Sequence, residues 1–149
     1  MRNLDIISAI IGLAVGDALG VPVEFKTREY LKEHQIRDMI GFGTYNEPEG
    51  TWSDDTSMTL ATMDAIADSN GINAYAIADN FIKWYRNAEY TATDRVFDIG
   101  RATFQAMSKY ELKTAEPTQC GGDGIYDNGN GSLMRIMPVA FYIFYMNIH

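Results

Sequence analysis

The sequence is poor in the residues that metal clusters and covalent frameworks need: Cys120 is its one cysteine, and His34 and His149 are its two histidines. An intrachain disulfide is thereby excluded, along with secreted folds held by a disulfide framework. A structural zinc site lacks its ligands. No Gly-x-Ser-x-Gly string occurs, which removes the usual Ser-His-Asp hydrolase signature. A basic surplus is missing too, since 12 Lys and Arg against 20 Asp and Glu leave a formal net charge of −8. Counterion release on nucleic acid or an anionic membrane requires the opposite sign, so neither is an expected partner. No Gly/Ser/Pro tract, block of like charge or solenoid-period repeat interrupts the 149 residues, and no pair of alternating segments carries hairpin chemistry. What remains is a chain with 46% apolar residues, enough for one domain, residues 1–149, with its own core.

Two apolar stretches invite a membrane reading. Ile6 to Val15 follows Arg2 as a signal peptide would, but Ser8 and Gly12 break it, and it runs straight into Gly16-Asp17. Met137 to Met146 is too short to span a bilayer. A cytoplasmic protein with no membrane contact is expected.

Helical periodicity dominates the chain. Asn3 is placed to cap a first helix with Leu4, Ile7, Ile10 or Ile11, Ala14 and Ala18 inward, ending near Gly20 before Pro22. Thr27 caps a short charged helix over Arg28 to His34. After a loop from Gly41 to Trp52, a helix from about Asp55 to Asp68 should bury Leu60 and Met63 or Ala67, stopping at Asn70-Gly71. Asn73 caps a strongly amphipathic helix with Tyr75, Ala78, Phe81, Ile82 and Tyr85 on one face. Trp84 and Tyr85 read as core. A helix from about Ile99 to Tyr110 presents Ala102, Thr103 or Phe104, Met107 and Tyr110, and Glu111 to Gly131 is loop. Pro138 suits either the first turn of a last helix or a kink in one starting near Gly131. Val139 to Met146 is apolar or aromatic on every helical face. Such a helix belongs in the middle of a core, so more protein is expected around it, from a second copy or a completing polypeptide.

Several residues could carry chemistry. Ser53, Asp54 and Asp55 stand where a glycine-bearing loop turns into a helix. Ser and Asp there are good N-caps, and they are equally the hard oxygen donors that Mg²⁺ or Mn²⁺ prefers. The two carboxylates differ by about 100° around a helix, so each could address one of two metals or bridge them. Glu24 follows Val21-Pro22-Val23, a stretch that favours extended backbone, and could be an exposed loop carboxylate. Asp98 reads as N-cap of the next helix, unless Asp94 takes that role. Asn128, Gly129, Asn130, Gly131 and Ser132, with Gly121-Gly122-Asp123-Gly124 upstream, allow close backbone approach to phosphate oxygens.

Three segments in this order, Gly16-Asp17-Ala18-Leu19-Gly20-Val21-Pro22-Val23-Glu24-Phe25, Ser53-Asp54-Asp55-Thr56 and Gly129-Asn130-Gly131-Ser132-Leu133-Met134-Arg135, make the chain resemble the ADP-ribosylglycohydrolase family, of the dinitrogenase-reductase-activating type. Those enzymes remove ADP-ribose from modified side chains. The resemblance covers nearly all of this chain but only the front half of the family pattern. A later Asp-x-Asp-Thr/Ser motif, which supplies further metal ligands in the family, is absent here. The resemblance implies an all-α orthogonal multi-helix bundle, similar to the N-terminal part of the family fold, and a binuclear Mg²⁺ or Mn²⁺ site that these residues fill in part. It implies general acid/base work for Glu24, metal ligation by Ser53, Asp54 and Asp55, and a place for Asp98 at the reacting centre through Phe97-Asp98-Ile99-Gly100. The Asn128 to Ser132 loop would hold ADP-ribose. Asp17 is expected to act structurally through hydrogen bonds, Thr56 to support the turn, and Arg135 to pair with a buried Asp rather than with a phosphate. The rival expectation is a catalytically silent module that binds ADP-ribose or a protein and acts as regulator or inhibitor.

Overall fold

The computed structural model describes residues 3–146, with side chains from residue 5 onward. The expected capping side chain of Asn3, the side chain of Leu4, and His149 lie outside the described residues. The chain forms α1 (Asn3–Gly20), α2 (Arg28–Glu33), α3 (Asp54–Ser69), α4 (Ala74–Asn87), α5 (Arg101–Glu111) and α6 (Met137–Tyr145), with no strand among the described residues. The fold is all-α, as the periodicity requires.

Local chemistry sets the ends of these helices. Thr27 accepts from the Tyr30 amide to open α2, and Asn73 accepts from the amides of Tyr75 and Ala76 to open α4. Asn70 in the left-handed region, φ 47°, closes α3 while the Gly71 amide reaches back to the Ile66 carbonyl at 3.1 Å. α5 starts at Arg101, later than its periodicity predicts, because Gly100 occupies the cap position without a side-chain bond. Neither Asp98 nor Asp94 caps it, since both sit at positive φ, 55° and 53°, where a cap residue would be extended.

α3 is the central element and packs on α1, α4 and α6. Met58, Trp84 and Met107, from α3, α4 and α5, form the buried core, with Phe81, Ile82, Tyr85, Val96, Ile99 and Met134 packed around them. The face that α3 buries differs from the expected one. Met63 and Ala67 are exposed and Leu60 is half-buried, while Met58, Thr59, Ala61, Thr62 and Ala65 face inward. The reason is that its hydroxyls are satisfied within the helix. Ser57 Oγ donates to the Ser53 carbonyl, Thr59 Oγ1 to that of Asp55 and Thr62 Oγ1 to that of Met58, each at 2.8 Å. A hydroxyl bonded in this way is buried without an unmet partner, and small side chains let three helices approach at once.

Two other details depart from the sequence reading. On α4 the most buried residues are Asn80 and Trp84, whereas Tyr75 is exposed. On α5 Thr103 and Met107 turn inward as the periodicity allows, but Ala102 is exposed, and Phe104 covers Tyr85 edge-on from the surface. The 111–131 loop is irregular as expected, apart from short 3-10 turns at Pro117–Gln119 and Asn130–Ser132. Cys120 is buried in it, its thiol donating to the Glu116 carbonyl at 3.2 Å.

α6 begins with Pro138 in its first turn, and Pro138 is buried in a groove with Ile6, Met63 and Ile66. The helix is not wrapped on all sides. Phe144 is 63% exposed and Tyr145 62%. α1 similarly turns Ile7, Ile11 and Val15 outward. Residues Asp5–Val23 are long and apolar enough to cross a bilayer by length and composition alone. Asp17 inside that stretch is instead bonded to the start of α3, which ties α1 into the bundle.

Candidate active site

The start of α3 is built around a carboxylate from another helix. Asp17 of α1 accepts from the Ser53 amide at 3.0 Å and the Ser53 hydroxyl at 2.7 Å, and from the Thr56 amide at 3.0 Å and the Thr56 hydroxyl at 2.6 Å. Ser53 itself is the local N-cap, accepting from the Asp55 amide at 3.4 Å. Asp17 and Thr56 thus have the structural roles expected of them. Asp17 meets the Ser53 and Thr56 amides and Ser53 the Asp55 amide, so most capping of the first turn is done by these two residues rather than by the carboxylates of Asp54 and Asp55. Asp54 is only 5% exposed. Burial, then the charges of Asp98, Asp55 and Asp17, push its carboxyl up to about 8. Burial and the charges of Asp17 and Asp98 also raise Asp55.

Glu24 arrives from the opposite side of the sequence gap. Val21–Val23 forms a 3-10 turn rather than the extended segment predicted, because the fixed φ of Pro22 suits a helical turn as well as an extended one. Glu24 then turns extended, with φ −54° and ψ 143°. The 41–47 loop docks on this backbone. The Thr44 amide donates to the Pro22 carbonyl at 3.0 Å and the Thr44 hydroxyl to the Glu24 carbonyl at 2.7 Å. A Cβ at Gly43 would stand 2.0 Å from the Pro22 oxygen, so only glycine permits the approach.

The docked loop delivers Tyr45, a residue the sequence reading did not single out. Its hydroxyl donates to Asp98 Oδ1 at 2.5 Å, and its ring packs on Phe97 at 5.1 Å. Nothing in the sequence marks it, for it lies in an irregular loop between two motifs. Burial, followed by a shared hydrogen bond with Asp98 and that residue's charge, pushes Glu24 up to about 7, against the pull of the Tyr45 hydroxyl. Burial and its bonds to Asp98 and Glu24 raise the Tyr45 phenol. Beside a second carboxyl the charged form of Glu24 is disfavoured, so Glu24 holds its proton to higher pH. Glu24, Asp54, Asp55 and Asp98 therefore stand in one acidic centre, each within electrostatic reach of Asp98.

The glycine-rich segment is linked to this centre through α3. Thr59 Oγ1 reaches the Met134 carbonyl at 3.2 Å as well as that of Asp55. Asn128, Gly129, Asn130 and Ser132 are exposed and Gly131 is half-buried against Thr103. Upstream, the Asp127 carboxylate folds back onto the Gly124 amide at 3.1 Å. Arg135 does not form the expected ion pair. Its guanidinium lies 4.9 Å over the Phe81 ring and donates to Thr103 Oγ1 at 3.3 Å and Met58 Sδ at 3.4 Å. Burial lowers its proton affinity, while the charge of Asp54 acts on it from a distance. A groove of about 1080 Å³, lined by Tyr75, Asp79, Lys83, Tyr110 and Glu116 among others, contains none of the acidic-centre residues.

As a metal site the donor set fits in kind but not in number. Buried carboxylates with raised proton affinity are what a hard dication would relieve. Among the described residues, no group of three or more His, Cys, Asp or Glu converges for coordination.

The centre makes a stability prediction. A carboxyl whose folded value rises from 3.8 to about 8 contributes stability that is fully present below pH 3.8 and lost as the pH rises through about 8. Glu24, rising from 4.5 to about 7, acts in the same direction. In buffer free of divalent cations, the melting temperature is expected to fall across this window, and Asp54→Asn to remove most of the fall. A variant with the full wild-type slope would mean that Asp54 is not the strained carboxylate.

The sequence profile of the ADP-ribosylglycohydrolase family matches residues 4–147. An ADP-ribosylarginine hydrolase, Tri1, of Pseudomonas putida (strain GB-1) is 36% identical over 137 residues, which are 90% of this chain and 35% of that protein. An ADP-ribosyl-[dinitrogen reductase] glycohydrolase of Rhodospirillum rubrum is 34% identical over 138 residues, 90% of this chain and 43% of that protein. A solved ADP-ribosylglycohydrolase-related protein complex superposes with a TM-score of 0.71 at 33% identity, covering 91% of this chain and 41% of the other. The chain thus spans well under half the length of these relatives.

Proposed function

This chain belongs to the ADP-ribosylglycohydrolase family, and from that premise we propose that it carries the acid/base half of a centre that hydrolyses the glycosidic bond between ADP-ribose and a modified protein side chain. The supporting observation is the Glu24–Asp98–Tyr45 cluster beside Asp54 and Asp55, with the Glu24 carboxyl poised near neutrality. An acid near its own pKa at working pH is suited to general acid catalysis.

In this reading Glu24 gives its proton to the side-chain atom that leaves as the bond to the ribose anomeric carbon breaks. Positive charge grows on the ribose, as in other glycoside hydrolyses, facing the carboxyl oxygens of the centre. Water adds at that carbon and its proton returns to a carboxylate of the centre. The products are ADP-ribose and the free side chain. Ser53, Asp54 and Asp55 would hold Mg²⁺ or Mn²⁺, whose chemistry is to bind and orient ribose hydroxyls. The Asn128 to Ser132 backbone would hold the ADP-ribose pyrophosphate. An arginine adduct is the first substrate to try, since the Pseudomonas relative is named for one.

The test is release of ADP-ribose from an ADP-ribosylated arginine protein, with added Mg²⁺ or Mn²⁺ and with chelator. Metal-dependent release supports the reading, and its absence under all conditions overturns it. The incomplete coordination set among the described residues favours a second reading, a silent module that binds ADP-ribose. Calorimetric binding of ADP-ribose without turnover is its signature.

The apolar surfaces of α1 and α6 support the reading that the chain takes a partner, either a second copy or a completing polypeptide. Phe144, Tyr145, Ile7 and Ile11 are all more than half exposed, and burying such side chains is favourable by roughly 1.5–3 kcal/mol each. Light scattering over a wide concentration range is expected to report self-association of the chain alone, weakened by Phe144→Glu. A compact monomer at high micromolar concentration would count against it.

A further inference from the structure

Tyr45 and Asp98 meet although each lies on a long irregular stretch, 34–53 and 88–100. Loops of that length need tie points to hold a hydroxyl on a carboxylate. One tie is the Trp52 Nε1 donation to the Tyr90 carbonyl at 3.1 Å. A second has the features of a device. The Glu47 side chain is 4% exposed, and its Oε1 lies 2.8 Å from Arg95 Nη1, whose own side chain is 61% exposed. The approach neutralises charge but is off the hydrogen-bond line, so Oε1 gains no directional partner. Oε2 accepts from Thr93 Oγ1 at 3.4 Å. The Glu47 carbonyl meanwhile accepts from the Phe42 amide at 2.7 Å, closing the loop that carries Tyr45.

Glu47 follows Tyr45 by two residues, and Arg95 precedes Asp98 by three. Glu47–Arg95 and Tyr45–Asp98 are therefore two rungs between the same two segments. A buried carboxylate with a half-solvated partner is a poor source of stability, because desolvation offsets the attraction. Its geometric effect is clear, since it fixes where the two segments stand.

We propose that Glu47 is a positioning residue for the acid/base centre: its buried carboxylate, held by Arg95 and Thr93, locks the 41–47 loop against the 91–98 segment and keeps the Tyr45 hydroxyl on Asp98. The catalytic consequence rests on the hydrolase reading above. The structural consequence does not.

Arg95→Ala leaves Glu47 buried with its charge unmatched, which costs stability, so Glu47→Gln, which removes that charge at nearly constant size and should move the same resonances, is made beside it. In the protein with carbon-13-labelled tyrosine, the Tyr45 ring resonances are expected to move in Arg95→Ala and to return in Arg95→Lys. This readout requires no turnover. Where turnover is measured, kcat should fall by about 10–100-fold with KM little changed, as for loss of outer supports of a reacting centre. Adding Tyr45→Phe to Arg95→Ala should then cost little more than either change alone. Unmoved Tyr45 resonances in a folded Arg95→Ala or Glu47→Gln protein would overturn the proposal, whatever the activity. So would a lowered melting temperature with unchanged kcat per folded molecule, since that is a structural role only. If the wild-type chain releases no ADP-ribose, the hydrolase reading fails while the resonance shift still decides this one.

Discussion

Glu24→Gln is expected to lower the proposed ADP-ribose release by about 10²–10⁴-fold, the usual contribution of a positioned acid, while leaving the fold intact. Gln keeps the size and one acceptor of Glu but has no proton to transfer near neutrality. The fold should not suffer, because the Glu24 carboxyl stands near 7, above its ordinary 4.5, through burial and the proximity of Asp98. Its ionisation opposes folding as the pH rises through that window, so a neutral replacement removes a cost. Melting curves at about pH 8 should therefore match or exceed wild type while kcat collapses. Wild-type turnover in this variant would remove Glu24 from the mechanism.

The other large effect falls on the core. Trp84 is 1% exposed and lies between Met58 and Met107, where α3, α4 and α5 meet. Trp84→Ala should cost about 3–5 kcal/mol, the range for deleting a large buried aromatic. Against a typical net stability of about 5–15 kcal/mol, that is enough to lose the cooperative transition in some conditions. Urea titration gives the measure, with Trp84→Phe as a milder comparison. A loss below about 1 kcal/mol would mean that the three helices find their packing elsewhere.

The sequence was most readable where local chemistry decides the outcome. Thr27 and Asn73 cap their helices because a short oxygen-bearing side chain before an apolar-periodic stretch has one good use, accepting the free amides. It was less readable where one residue type serves two ends. An Asp before a helix is both a good cap and a good ligand, and only the positive φ of Asp98 and its bond from Tyr45 remove it from capping. The inward face of α3 was misjudged because threonines that bond their own helix count as polar in any hydropathy pattern. Tyr45 was missed for a different reason. It owes its place to Gly43 and Thr44 lying on the backbone of Pro22 and Glu24, a contact between segments some twenty residues apart for which no spacing rule exists. Arg135 was expected beside an Asp, but a guanidinium is satisfied as well by the face of Phe81 and the Thr103 hydroxyl.

The attachment of Asp17 to Ser53 and Thr56 also bears on the order in which the molecule assembles. α3 and α4 are joined by four residues, 70–73, and share the most extensive helix contact in the protein, so they can pair early at small entropic cost. The Asp17 bonds span 36 and 39 residues and wait for a far larger loop to close. On this order the first turn of α3 is expected to fray until α1 arrives, with the crowding of its carboxylates deferred until after the core has formed. In pulse-labelling hydrogen exchange, the Ser53 and Thr56 amides should gain protection after those in the middle of α3 and α4. Simultaneous protection would mean that α1 joins the first nucleus.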